Sequence, residues 1–542
     1  MDEGMLDFLA AADAANRTSI PNLSTIPNWL FTSTDRTYVP DDPLQIVYDY
    51  ESASTELVDP TAKAVGDYYG RLVAHYIEGG FLDEAGRWIP GFNLTFSHWE
   101  VLNEVNAEHR MTPQTYTTIY DAVVAGIKRW APRGSASMKF MGIGGAGPGY
   151  IPYFLNKSNH ALGSDTQIDL ISLHWYAGSK SRDGGNETPG GDYVAFFPSA
   201  DGFVEQLSSA YAAIATSDFP HVMIDADEVG VILPDDDDPK WVADTPGFPA
   251  LFWNAAAAYF AYLFGETAKI GLDVLGASQL TGYPSLTFPR GPPINGPFTA
   301  ACINPSVSLL SWGGDFGDPG DGTARYWVLA LLLEEFRASG PAGLLPASDA
   351  DVLVATATAG GNEVSSPFCA DQPNLSLLKM YCETGVIDAV LFADYGTALG
   401  DCGAWVVNAS CTAPTAEAVV RALCVGKAAC SIPTDTPTFG DPCFGVSKHL
   451  VLNATCSVGG GSQVRPPAVY AQAFVERAGA GARKILVVNT EPRPHDVTFA
   501  GAAGGAWHYI DESSGYGPAA KTTLASDTWT LAPFSLGVLR PA

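Results

Sequence analysis

Apolar positions along residues 59–340 alternate between two periods. The run TAKAVGDYYGRLVAHYIE, 61–78, follows Asp59 and Pro60 and stops at Gly79 and Gly80, so it reads as a helix with Asp59 as N-cap. LTFSHWEVLNE, 94–104, is apolar almost throughout and reads as a strand. TPQTYTTIYDAVVAGIKRW, 112–130, reads as a helix capped by Thr112, with Tyr116, Ile119, Tyr120, Val123, Ile127 and Trp130 on one face. SMKFMGIGG, IDLISLHWY, HVMIDADEVGV and LDVLGASQL continue as strands, with helices near 149–157, 201–216 and 247–268 between them and ARYWVLALLLEEF after them. Buried strands each followed by a helix predict an α/β fold, a parallel sheet covered on both faces, with a (β/α)8 barrel as the leading architecture.

With SIPNLSTIPNWLF, 19–31, six strands are counted where a closed barrel has eight. The helix-like start MLDFLAAADAA then belongs to the second unit, and the first two strands are expected to be missing. The sequence is therefore expected to be a fragment or the product of a truncated gene model.

At 542 residues the chain needs more than one core, and 46% hydrophobic residues supply them. Asp and Glu number 59 against 29 Lys and Arg, a formal charge of -30 that would repel a phosphate backbone and excludes nucleic acid as partner. No apolar run approaches the roughly 20 residues of a membrane span, and FWNAAAAYFAYLFGETAK reads as a buried helix. Eight Asn-x-Ser/Thr sites, at Asn16, Asn22, Asn93, Asn156, Asn186, Asn374, Asn408 and Asn453, point to a secreted or lumenal glycoprotein. So do eight of the nine cysteines lying between Cys369 and Cys456, although the opening MDEGMLDFLAAADAANRTS is not expected to act as a signal peptide. Cys302 is left as a lone thiol.

Chemistry in such a barrel gathers where strands end. Three ends are polar: Asn103 and Glu104; His174 and Tyr176; and Asp225, Asp227 and Glu228. Two carboxylates facing one cleft are what glycoside hydrolysis needs, one to protonate the leaving oxygen and one to attack. Glu104 and Glu228 are the natural pair, with Asp227 the rival because strand alternation would turn only one of the two adjacent acids inward. The run DDDDPK from Asp235 lacks the spaced ligands and glycine of a calcium loop and reads as solvated.

Asn-Glu on one strand, His-x-Tyr two strands on and Glu on the next resemble the catalytic pattern of clan A glycoside hydrolases. FSHWEVLNEVNAEHRMTPQTYTTIYDAVVAGIK is most similar to family 39, the β-xylosidase and α-L-iduronidase type. The resemblance implies a retaining enzyme with Glu104 as general acid/base and Glu228 as nucleophile, and no cofactor or metal. It further implies that Asn103 binds the sugar 2-hydroxyl, Tyr176 orients Glu228 and His174 lines the sugar site. Val105 stands where the family has Pro, and the basic residue that clan members often place near the nucleophile falls on the missing strands.

Between Cys369 and Cys456 the chain turns cysteine-dense, with short β-rich stretches and one helix, TAEAVVRALC. Eight cysteines allow 105 pairings, and no Cys-x-x-Cys pair suggests a metal. The motifs ADYGT, CVGKAAC and FGDPCFGVSKHL resemble the SUEL-type galactose/rhamnose-binding lectin domain. That resemblance implies disulfides Cys369 with Cys402, Cys382 with Cys456, Cys411 with Cys443 and Cys424 with Cys430. It implies sugar contacts from Tyr395, Asp441 and Lys448. Ala370 and Asp371 stand where the family has a Glu after its first cysteine, and Thr397 replaces its Arg.

Strand-like flanks on both sides suggest a β-sandwich into which the lectin module is inserted through GGNEVSS and SVGGGSQVRPP linkers. The expected domains are the N-terminally truncated barrel at 1–340, the sandwich at 341–365 and 464–542, and the lectin at 366–457. The expected function is a glycosidase held on galactose- or rhamnose-bearing glycan, its partners being a carbohydrate substrate and a glycan ligand. A non-catalytic carbohydrate-binding protein on a degenerate hydrolase scaffold is the alternative.

Overall fold

The computed structural model describes residues 2–15, 17–23, 26–32, 56–106, 109–161, 166–185, 189–234, 236, 249–280, 283–284, 302–303, 305–310, 320–336, 352–353, 363–365, 368–402, 404–443, 446–464, 466–475, 483–514 and 517–542. Its first half is a parallel sheet of β1 (His98–Glu100), β2 (Lys139–Gly142), β3 (Leu170–Ala177), β4 (Met223–Val231) and β5 (Val274–Ala277), in that order. Asn22 adds a parallel bridge to Glu100, so the segment counted first in the sequence lies beside β1. Among the described residues the sheet curves as part of a barrel and does not close.

Helices α1 (Asp2–Ala14), α2 (Lys63–Ile77), α3 (Pro113–Trp130), α4 (Ile151–Phe154), α5 (Phe196–Thr216), α6 (Ala250–Ile270) and α7 (Ala324–Phe336) accompany it. Thr112 caps α3 as expected, its hydroxyl accepting from the Thr115 amide at 3.2 Å. The predicted apolar face of α3 is buried apart from Trp130, which is half-buried. By contrast α2 starts at Lys63 rather than at Pro60: Asp59 accepts from the Thr61 and Ala64 amides, and Ala62 sits at the cap in a left-handed conformation. The two helices approach closely because glycines line their contact. A Cβ on Gly66 would lie 2.1 Å from the Ala122 carbonyl oxygen.

Beyond the barrel, Val352–Leu353, Val469–Val475, Arg483–Asn489, Leu536–Arg540, Ala506–Ile510 and Ala520–Thr523 form a six-stranded sheet in that order, antiparallel at every pairing. Strand alternation splits its side chains. Tyr470, Leu486, Val488, Leu536 and Val538 join the barrel core beneath α6 and α7, whereas Val469, Val487 and Leu539 pack on the other side against an antiparallel pair of strands, His495–Thr498 and Thr528–Leu531. Covered by α5, α7 and this sheet, α6 is buried nearly all round, which accounts for its unbroken apolar run. No helix among the described residues is long and apolar enough to cross a membrane. At the joint, Glu335 of α7 is fully buried and holds His508 Nδ1 at 2.6 Å and Arg540 Nη2 at 2.7 Å.

The cysteine-rich segment emerges between two neighbouring strands of that sheet, Val352–Leu353 and Val469–Val475. Its strands are β6 (Phe368–Pro373), β7 (Leu377–Gly396), β8 (Ala429–Pro433) and β9 (His449–Val464); β9 pairs with both β6 and β7, and β7 with β8. Helix α8 (Ala416–Cys424) packs on this sheet through Val420. The bridges are Cys369–Cys402, Cys382–Cys456, Cys411–Cys443 and Cys424–Cys430, the set implied by the resemblance. The expected linkers are not free: β9 runs on through the glycines to Val464, and Glu363–Ser365 pairs with Gly461–Gln463. Backbone pairing needs no side chain, so a glycine-rich stretch can extend a ladder that a neighbouring strand already offers.

This module sits on the barrel. Leu375 packs into the barrel core, Ser199 of α5 donates to the Leu375 carbonyl at 2.5 Å, and Lys180, beyond β3, lies 2.5 Å from Asp371.

Candidate active site

His174, near the end of β3, is the hub. Its side chain is almost fully buried, and Nδ1 lies 2.9 Å from Glu104 Oε1 and 2.8 Å from Glu228 Oε2, while Nε2 lies 3.5 Å from Asp227 Oδ1. The oxygens of Glu104 and Glu228 that face the ring are within 4.8 Å of each other. Both glutamates remain about a quarter exposed, 26% each, so the pair is open to solvent while its hub is not.

Distortions at two strand ends build this arrangement. The expected strand stops at Glu100; beyond it Leu102 and Glu104 take left-handed backbone conformations, φ 63° and 38°. Non-glycine residues there cost about 1–2 kcal/mol each, and such strain gathers at functional sites. Asn103 lies half-buried in this turn beside Glu104. On β4 the register slips: Ser172 faces Asp225 but His174 faces Glu228, and on the other side Ala226 faces Leu275 but Val229 faces Ala277. Both neighbours count one residue fewer than β4, the mark of a β-bulge. Alternation is therefore suspended, and Asp227 and Glu228 both reach His174, contrary to the expectation that only one would.

The loop after β2 supplies the wall behind the ring. A Cβ on Gly145, φ 67°, would lie 2.5 Å from three atoms of the His174 imidazole, and the Gly145 amide donates to Ser172 Oγ at 3.0 Å. Below lies Glu100, buried, accepting from Ser172 Oγ at 2.6 Å and from Asn22 Nδ2 at 2.7 Å. Burial first, then the nearby Asp227, holds the Glu100 carboxyl well above the usual carboxylate range. For the same two reasons Asp225, buried and with Oδ1 unpaired, is pushed up to about 7. Burial is also the largest influence on His174 and lowers it, but the facing carboxylates of Asp227, Glu104 and Glu228 outweigh burial and hold the imidazolium far above its ordinary value. A metal would need the neutral ring's lone pair. Glu104, His174 and Glu228 have ligand-like spacing, as do Glu100, His174 and Asp227.

Tyr176, expected to orient Glu228, crosses β4 above Gly230 to bring its hydroxyl within 2.6 Å of Ser278 Oγ at the end of β5. Asp236 is a further difference: expected in a solvated run, it is buried against Arg182 and Ser306. Glu100 and Gly145 were not singled out from the sequence. The signals available were an acid inside an apolar strand and paired glycines at a strand end.

In the lectin module Lys448 Nζ lies 3.0 Å from Asp441 Oδ1 and donates to the Val446 carbonyl at 2.9 Å. Asp441 is exposed and Lys448 nearly sealed. Tyr395 departs from the expected sugar contact: it is fully buried, stacked on Phe439 at 4.8 Å, with its hydroxyl donating to Asn374 Oδ1 at 2.5 Å. No face of its ring is left for a ligand. Among the glycosylation sequons, Asn22 spends its amide on Glu100 and Leu102, whereas Asn93 and Asn156 are exposed. Asn16 and Asn186 lie outside the described residues.

Known proteins resemble this chain in two ways. The family model for the D-galactoside/L-rhamnose binding SUEL lectin domain matches residues 380–456. "Beta-galactosidase 6" of Oryza sativa subsp. japonica is 42% identical over 94 residues, covering 17% of this chain and 11% of that one. "L-rhamnose-binding lectin CSL1" of Oncorhynchus keta is 41% identical over 85 residues, covering 15% of this chain and 29% of that one. The chain thus spans only a minor part of the curated relatives it matches. Among solved structures, an α-L-arabinofuranosidase from Thermotoga maritima is 13% identical with a TM-score of 0.44, covering 98% of this chain and 89% of that one. A GH39 β-xylosidase from Caulobacter crescentus is 12% identical with a TM-score of 0.42, covering 98% and 81%. Residues 380–456 form a SUEL-type lectin domain.

Proposed function

We propose that the barrel carries a retaining glycoside hydrolase site and that the lectin domain holds it on galactose- or rhamnose-bearing glycan. One observation carries the catalytic half: Glu104 and Glu228, from separate strand ends, present carboxylate oxygens within 4.8 Å of each other at a solvent-open position. Retaining glycosidases hold their two carboxyl groups about 5–5.5 Å apart, too close for the water an inverting enzyme places between them. In this reading Glu104 protonates the departing glycosidic oxygen while Glu228 attacks the anomeric carbon. Glu104 then takes a proton from the water that releases the sugar from Glu228. Asn103, in the same turn, is the group assigned to the 2-hydroxyl.

For the lectin half, Asp441 and Lys448 offer a carboxylate acceptor and an ammonium donor at one place, a pattern suited to vicinal sugar hydroxyls. Four disulfides support an oxidising, extracellular or lumenal setting, with Asn93 and Asn156 as exposed glycan acceptors.

A panel of aryl glycosides tests the enzyme, read by turnover and by the anomer first released. Glu104→Gln and Glu228→Gln are each expected to abolish turnover, and activity surviving both ends the assignment. Asp441→Ala is expected to remove glycan-array binding and leave turnover of small aryl glycosides intact. One observation favours a second reading, a non-catalytic carbohydrate binder: both glutamates are clasped by a single imidazole nitrogen. Sugar binding without turnover of any glycoside in the panel would select it.

A further inference from the structure

We infer that Asp227 is a positioning residue of the candidate site: from the Nε2 side it fixes the His174 ring so that Nδ1 spans Glu104 and Glu228. The consequence for catalysis rests on the proposed roles of those two glutamates. The geometry of the ring does not.

Four observations lead there. Asp227 Oδ1 is sealed from solvent and makes no hydrogen bond of ordinary length, and His174 Nε2, at 3.5 Å, is the donor that faces it. The β4 bulge puts Asp227 there, since an unbroken strand would turn it to the opposite face from Glu228. Glu100, the other acid on this side, already spends one oxygen on Ser172 and the other on Asn22. Gly145 closes the ring's flank so tightly that a Cβ would meet three ring atoms at 2.5 Å, leaving orientation to the polar groups at the two nitrogens.

The titratable groups facing the ring are Glu100 and Glu104 from β1 and its turn, and Asp225, Asp227 and Glu228 from β4. Neighbouring elements add Ser172 of β3 and the uncharged Gly145 loop. With Asp227 in place the ring donates from both nitrogens, and one positive charge serves two carboxylates. Without that charge the ring releases its Nε2 proton at lower pH, the positive charge between the two glutamates is lost although Nδ1 keeps its proton, and Glu104 and Glu228 repel each other across a short gap.

The test uses the full chain with 15N-labelled histidine, in wild type, Asp227→Asn and Asp227→Glu, with His174→Gln to assign the ring signals. In the wild type His174 is expected to keep the imidazolium pattern up to pH 9. In Asp227→Asn it titrates below that, and Asp227→Glu restores it. An Asp227→Asn ring that titrates as the wild type does would overturn the inference. Far-UV circular dichroism and the Glu variant separate this from a failure to fold.

With a glycoside that the wild type turns over, Asp227→Asn is expected to lower kcat with KM little changed. The high-pH limb of its rate profile should move down by about one pH unit or more, a tenfold loss at fixed alkaline pH. A profile identical to the wild type would equally overturn it. If the wild type turns over nothing, the catalytic reading of Glu104 and Glu228 fails, while the histidine spectra still decide the role of Asp227.

Discussion

In the barrel, the acids and the histidine between residues 100 and 228 arrive from three strands and meet only because two strand ends depart from regular geometry. In the lectin domain, Asp441 and Lys448 flank Cys443, which is itself bridged to Cys411. One region pools charge that the fold must work to hold: two left-handed residues, a bulge, two buried acids and a glycine with no room for a methyl group. The other pins a loop covalently and leaves one partner of its charged pair, Asp441, at the surface. The first should therefore be sensitive to small changes of shape and to pH, and the second to loss of its cross-links.

The sharpest break in that comparison is covalent. The Cys382–Cys456 bridge closes a sequence separation of 74 within a small core. Replacing both cysteines by serine should cost about 2–5 kcal/mol. Limited proteolysis is expected to nick residues 368–464 while the barrel stays protected, and a lectin domain as resistant as before would show that its core suffices. Next in size is Gly145→Ala. The added methyl group cannot fit without moving His174, an overpacking cost of about 1–3 kcal/mol, raised further because alanine resists φ 67°. Chemical denaturation should show the loss in the barrel transition, and turnover should fall with it. Glycan binding by the lectin domain should not change.

That contrast also explains what could be read from the sequence. Long amphipathic segments such as Pro113–Trp130 announce themselves through side-chain periodicity and a Thr-Pro start, and the helix forms there. The lectin's pairing was legible only through the resemblance of its motifs to the SUEL family, since cysteine spacing alone left 105 pairings open. Glu104, His174 and Glu228 stand out as candidates because polar residues end apolar strands there, and their side chains do come together. Asp227 was misjudged, since a bulge is a matter of register with neighbouring strands and leaves no periodic trace in β4 itself. The burial of Tyr395 is hidden for a related reason: a motif tells which residue is present, while its burial depends on Phe439 and Asn374 closing over it. The start of α2 moved because Asp59 serves the Ala64 amide from a turn that precedes the helix.

The smallest effect, and the one that bears most directly on charge storage, concerns Asp225. It is buried with Oδ1 unpaired, and burial, then Asp227, raises it to about 7 against an ordinary 3.8. A carboxyl whose folded value lies above its unfolded value binds more protons when folded between those two values. Stability therefore falls as pH rises from about 4 to about 7 and is level above that. Between pH 5 and pH 8 the wild-type barrel should lose on the order of 2 kcal/mol from this group. Asp225→Asn removes the titration without changing the side chain's shape, so its melting temperature should depend less on pH across that interval, and at pH 8 it should exceed the wild type's. The lectin domain's own transition should be unmoved by the substitution at either pH. A barrel whose pH dependence survives Asp225→Asn would put the stored charge on Glu100 instead, the other buried acid beneath His174.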